Sequence, residues 1–145
     1  MKLKYLMATR SAFVFGKINE EISGSVWEPD TDIRIGVWGI CLQKVVIKLA
    51  ENVKTDFCFC VKTNFVEQNE RDKQGKLKVT NTCVGLFSCK GSVADEIVLT
   101  NSNCQYFTIT RPEIDLIISI DNPLTKKKIT TEHEIGCYFV IKRLQ

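Results

Sequence analysis

Residues 56–66, DFCFCVKTNFV, decide the fold. Phe57, Phe59, Val61, Thr63 and Phe65 fall on one side of an extended chain, and Cys58, Cys60, Lys62 and Asn64 on the other. Successive side chains of a strand point to opposite faces, so this period of two reads as a strand with an aromatic inner face. The same alternation recurs on both sides of it. Over Asp32–Ile40, Ile33, Ile35 and Val37 oppose Arg34, Gly36 and Trp38; over Leu42–Leu49, Val45, Ile47 and Leu49 oppose Lys44, Val46 and Lys48. Leu116, Ile118 and Ile120 line one face of Ile114–Asp121, and Ile135, Cys137, Phe139 and Ile141 one face of Ile135–Arg143. Further strands are expected at Ser11–Ile18, Leu77–Thr82 running on into Cys83–Cys89, Glu96–Thr100 and Gln105–Thr110. Asn19–Asp32 and Glu67–Lys76 read as loops, and residues 1–10 as an arm or edge strand.

Composition points the same way. Val, Ile and Thr make up 40 of the 145 residues, whereas Ala, Leu and Met together make up 16. β-branched side chains lose rotamers in a helix and pack well on a pleated surface. No segment sustains a helical period, although Val93–Leu99 has room for one helical turn. About eight to ten short strands, each with one apolar face, predict an all-β antiparallel sandwich that fills residues 1–145 as a single domain.

The residues that carry most enzyme chemistry are sparse. The chain has one histidine, His133, set in Thr131-Glu132-His133-Glu134, where a solvated loop is expected. No glycine-rich phosphate loop occurs, and the seven cysteines include no CxxC pair. The expectation is a protein with no catalytic, cofactor-binding or metal-binding residues. The cysteines lie in apolar runs and read as buried thiols in a reducing compartment. Arg10 interrupts the apolar stretch near the N-terminus, and no other apolar run approaches the ~20 residues that span a bilayer. A soluble intracellular product with no membrane partner is expected.

Lysine and arginine number 20 against 17 acidic residues, a net charge of +3, too balanced for a nucleic-acid platform. The single basic run, Lys126-Lys127-Lys128, reads as a solvated hairpin loop, with phosphate contact as its functional alternative. Trp27 sits in a polar loop, either folded back on the core edge or serving as an interaction anchor. Trp38 falls on an outer face, where it packs under a loop or meets another chain. Outer-face apolar residues (Trp38, Val46, Val66, Tyr138 and Val140) would mark a contact surface if gathered on one side.

Three segments together resemble a viral pattern: Trp27-Glu28 followed by DIRIGVWGICL at Asp32–Leu42; Val61-Lys62-Thr63-Asn64-Phe65-Val66 ahead of a polar loop; and the tail formed by Tyr106–Ile109, Ile114–Asn122 and Ile135–Leu144. In this order they are similar to the small single jelly-roll capsid proteins, of penton or minor-capsid type, of the polinton-like virus, adintovirus and virophage group. The resemblance implies a jelly roll of two four-stranded sheets and a structural protein of the virion, assembled inside the host cell. It implies self-association, in a ring of five, and contact with other capsid proteins, with no small-molecule substrate. The competing expectation is a β-sandwich binding module that recognises a glycan, peptide or protein through its end loops, with Trp27 and Asn19–Asp32 as anchors.

Overall fold

The computed structural model describes residues 9–26, 36–49, 57–89, 96–102, 105–111, 113, 115–131 and 133–144. Among them the strands are β1 (Thr9–Lys17), β2 (Ile22–Ser25), β3 (Trp38–Lys48), β4 (Phe57–Arg71), β5 (Leu77–Cys89), β6 (Glu96–Thr100), β7 (Phe107–Thr108), β8 (Asp115–Asp121) and β9 (Glu134–Arg143). They form two antiparallel sheets packed face to face. The first has the order β1-β9-β3-β6, with β7 also paired to β3; the second has the order β2-β8-β4-β5. The pairing is nested. β4 pairs with β5, β3 with β6 and β7, β2 with β8, and β1 with β9. The chain is therefore one long antiparallel ribbon, and successive pairs of it lie in alternate sheets.

One core lies between the sheets. The first sheet contributes Val14, Ile40, Leu42, Val45, Ile47, Ile135, Phe139 and Ile141; the second contributes Ile22, Phe59, Val61, Phe65, Phe87, Leu116, Ile118 and Ile120. Burying a side chain of this size stabilises by about 1.5–3 kcal/mol. The sheets come close at Gly85. A Cβ there would stand 2.7 Å from Leu42 Cδ2, so only glycine lets Leu42 cross to the facing sheet.

Keeping apolar residues inward requires breaks in the ladders. On β3, Leu42 and Val45 both face the core, so the register against β9 shifts between Leu42 and Lys44. This bulge at Gln43 sends Lys44 and Val46 to the outer face. Asn101 occupies the bulge: its Nδ2 donates to the Leu42 carbonyl at 2.8 Å and its backbone N–H to the Gln43 carbonyl at 2.8 Å. On β4, the register against β5 shifts between Thr63 and Glu67. The Asn64 side chain uses this departure to extend the β4–β8 contact beyond its last ladder pair, Thr63 with Ile118. Asn64 Oδ1 accepts from the Ile117 N–H at 2.9 Å, and Nδ2 donates to the Asp115 carbonyl at 3.1 Å.

The structure revises several sequence expectations. Asn19–Asp32 contains β2, a four-residue strand whose inward anchor is Ile22. Trp38 faces the core, with 8% of its surface exposed, and not the outside. Gly36 has φ +87, which ends any alternation arriving from residues 33–35 and resets the face on which β3 begins. Glu67–Lys76 is not all loop, because β4 continues to Arg71 before the turn. Gln105–Thr110 is paired only at Phe107–Thr108. His133 is buried, with its ring 6.1 Å from that of Phe57. The strand assigned at 32–35, the first eight residues of the arm and the start of the helical turn at 93–95 lie outside the described residues; residues 96–99 of that turn are strand.

Asn64→Ala leaves the Ile117 N–H and the Asp115 carbonyl without these partners. Unfolding in urea should show a loss of about 1–3 kcal/mol with little change in slope.

Candidate interaction surface

The outer face of the first sheet is organised in rows across its strands. Register places Phe15 opposite Gly136, Gly136 opposite Val46, and Val46 opposite Val98. The next row runs Phe13, Tyr138, Lys44, Thr100. Phe13, Phe15 and Val98 are 51%, 53% and 55% exposed, so an apolar strip spans all four strands and faces solvent. Its aromatic part is packed on itself. The Phe13 and Tyr138 rings are 4.5 Å apart, the Phe13 and Phe15 rings 6.2 Å apart, and Lys44 Nζ sits 4.7 Å above Tyr138.

Gly136 makes this arrangement possible. A Cβ on it would stand 2.6 Å from Phe13 Cε1, so the Phe13 ring packs over bare backbone in the middle of the sheet. On one flank the strip is bounded by charge. Lys17 faces Glu134, Glu134 faces Lys48, and Lys48 faces Glu96, a row of alternating sign. Lys at exposed ladder positions discourages indiscriminate strand pairing.

Of the five outer-face apolar residues expected from sequence, the structure gathers two, Val46 and Tyr138, into this strip. Trp38 and Val66 are in the core, and Val140 is buried opposite Ser11 and Cys41. Phe13, Phe15 and Val98 join the strip although sequence did not single them out. The readable signal was the small inward set Ala12, Val14 and Gly16, which leaves the two large rings on the opposite face.

Lys126, Lys127 and Lys128 are exposed on the turn after β8. Asn122 shapes that turn, accepting from the Leu124 N–H at 2.8 Å through Oδ1 and from the Lys126 N–H at 2.8 Å through its carbonyl. Lys126 adopts φ 60 to close it. Lys128 pairs with Asp121 at the turn's base. The structure does not bring the lysines to Trp38: the run precedes the start of β9, whereas Trp38 pairs with Arg143 at its far end. Trp27 lies outside the described residues.

A shallow cleft of about 400 Å³ opens where the β4–β5 hairpin passes residues 110–111, lined by Glu67, Gln68, Asn69, Val79, Thr110 and Arg111. Arg111 fills one side, reaching Glu67 at 3.2 Å and also pairing with Glu113. Five of its six lining residues are polar or charged, unlike the apolar walls usual around a small-molecule ligand. Among the described residues, no group of three or more His, Cys, Asp or Glu side chains is placed to hold a metal ion.

No protein-family model, no curated protein and no solved structure matches this chain.

The cysteines divide by environment. Cys58, Cys60, Cys83, Cys89 and Cys137 are thiols, whereas Cys41 is disulfide-bonded, which corrects the expectation that all seven are thiols. Complete burial pushes the Cys137 thiol well above its ordinary range.

Trp38→Ala should cost about 3–5 kcal/mol, because it empties a core position. Lys127→Ala and Lys128→Ala, on the exposed turn, should each change stability by no more than about 0.5 kcal/mol. Parallel urea titrations of the three variants measure both effects.

Proposed function

We propose that this protein is a structural assembly subunit, a jelly roll of capsid type that works by binding further copies of itself and other capsid proteins, with no chemical transformation of a ligand. The observation that carries the reading is the solvent-facing apolar strip of Phe13, Phe15, Tyr138, Val46 and Val98 across the first sheet. A strip of this kind on an ordered sheet favours a partner with a matching apolar face. Each half-exposed phenylalanine it covers contributes about 1 kcal/mol on area grounds. The flanking row Lys17, Glu134, Lys48, Glu96 gives the contact an electrostatic register that a purely apolar face lacks.

The nested pairing supports the jelly-roll reading. A jelly roll packs eight principal strands in two sheets, and the order β1-β9-β3-β6 against β2-β8-β4-β5, with β7 as a short addition beside β6, favours that reading of the sandwich. Capsid domains are among the proteins built this way. Together with the segment resemblance noted above, this favours a penton or minor-capsid subunit of a virion assembled inside a host cell. A closed rotational ring, five-fold in the penton reading, satisfies every copy's strip and leaves no free end to propagate.

Phe15→Lys and Val98→Lys place charge on the strip at two half-exposed positions. Multi-angle light scattering across a concentration series should find the parent chain oligomeric and both variants shifted to monomer. Their thermal unfolding should be unchanged within the effect of a surface substitution, about 0.5 kcal/mol. A parent chain that stays monomeric at high concentration, or variants that assemble as it does, would count against the proposal.

A further inference from the structure

The outer face of the second sheet carries a different chemistry. Its register aligns Asp121 of β8, Cys60 of β4 and Leu86 of β5 in one row, and Ser119, Lys62 and Cys83 in the next. Two diagonal contacts join the rows. Lys62 Nζ reaches Asp121 Oδ2 at 3.6 Å, and the Cys60 and Cys83 side chains interact across β4 and β5, with the Cys83 S–H donating to the Gly85 carbonyl at 3.3 Å. The β4–β5 register shifts between Val61 and Lys62, beside this thiol contact. Cys83 is half-buried and Cys60 almost fully buried, so a solvent-borne reagent meets Cys83 first.

We propose that Cys60 and Cys83 are a redox-responsive dithiol, a modification site at which a peroxide links β4 to β5 through a disulfide. The proposal does not depend on copies of the chain associating. The attacking sulfur is Cys83. The interaction with Cys60 and the Lys62 ammonium both favour its anionic form, so its pKa falls from 9.0 to about 6. Cys60 moves the opposite way, raised by the interaction with Cys83 and by burial, which disfavours its charge. Asp121 faces the pair from β8 and opposes the Lys62 effect on Cys60.

The chemistry closes in two steps. The Cys83 thiolate attacks one oxygen of hydrogen peroxide. The O–O bond breaks, Cys83 becomes a sulfenic acid, and hydroxide leaves. Cys60 then attacks the Cys83 sulfur. The S–O bond breaks, the S–S bond forms, and the Cys60 proton leaves with the departing oxygen as water. Each sulfur is oxidised by one electron, and the peroxide is reduced by two. Cys58, an exposed thiol whose side chain lies 3.7 Å from Ser88 Oγ, is the internal reference for unassisted reaction.

The test uses the full chain, with Cys41 left oxidised, treated with equimolar hydrogen peroxide, quenched with acid and mapped by peptide mass spectrometry. The expected product is a Cys60–Cys83 linked peptide two hydrogens lighter than its reduced parts, while Cys58 remains alkylatable. In Cys60→Ser, Cys83 should stop at a sulfenic acid that dimedone captures. Iodoacetamide alkylation of Cys83 in the untreated chain should reach half its maximal rate near pH 6, against about 8.5 for an ordinary thiol. A parent chain in which Cys83 stops at the sulfenic acid with Cys60 still a thiol would overturn the proposal. So would first oxidation at Cys58, or an ordinary alkylation profile at Cys83.

Discussion

Leu42 reaching over Gly85 marks the constraint from which the rest of the structure follows. Two sheets must close on one core, and at Gly85 there is no room for a methyl group. Packed sheets sit about 10 Å apart, a distance that inward side chains fill completely. Every inward position is therefore fixed in size, and the strands bend to serve those positions. The bulge at Gln43 lets Leu42 and Val45 both point inward. The departure at residues 64–66 turns Phe65 and Val66 into the core. Each irregularity exposes backbone groups that need partners. Asn101 supplies them at the first, while at the second Phe65 accepts from the Thr110 and Arg111 N–H groups.

The same adjustments determine what the molecule shows to its surroundings. Without the bulge at Gln43, Lys44 and Val46 would not share a face with Tyr138 and Phe13, and the apolar strip would end at β9. The two outer faces diverge accordingly. One is aromatic and aliphatic with a charged border; the other carries two thiols beside an ion pair. A single framework thus presents one surface suited to association and one suited to chemical modification, on opposite sides of a core that insulates them from each other.

Much of the fold was legible where alternation was strong and uninterrupted. The faces of β4, β8 and β9 follow the sequence pattern, and β6 begins and ends where expected. What escaped reading has physical causes. β2 is four residues long with Gly24 inside it, so period two has almost nothing to act on. The alternation of residues 33–37 puts Trp38 on the outside only if it runs unbroken through Gly36, where the backbone turns. β3 was divided in two at a point where the chain is continuous, since a bulge and a strand break look alike in a one-dimensional pattern. His133 was placed in solvent by its charged neighbours, whereas its contact with Phe57 depends on a strand far away in sequence. The apolar strip was half legible. Val46 and Tyr138 stood out, but their joining with Phe13 and Phe15 depends on Gly136 lying beneath an aromatic ring, a fact of register alone.

The position of β9 has a consequence for how the molecule comes into being. It is last in chain order among the described strands, yet it lies between β1 and β3 in the interior of the first sheet. Until it is synthesised, β1 has no neighbour in that sheet, and Phe139 and Ile141 are missing from the middle of the core. A ribosome-bound intermediate can close the β4–β5 hairpin early, but half of the sandwich must wait with unpaired edges exposed. Long-range closure of this kind is slow and makes the waiting chain prone to aggregation. Folding of this sandwich therefore depends on sheltering the earlier strands until β9 joins them.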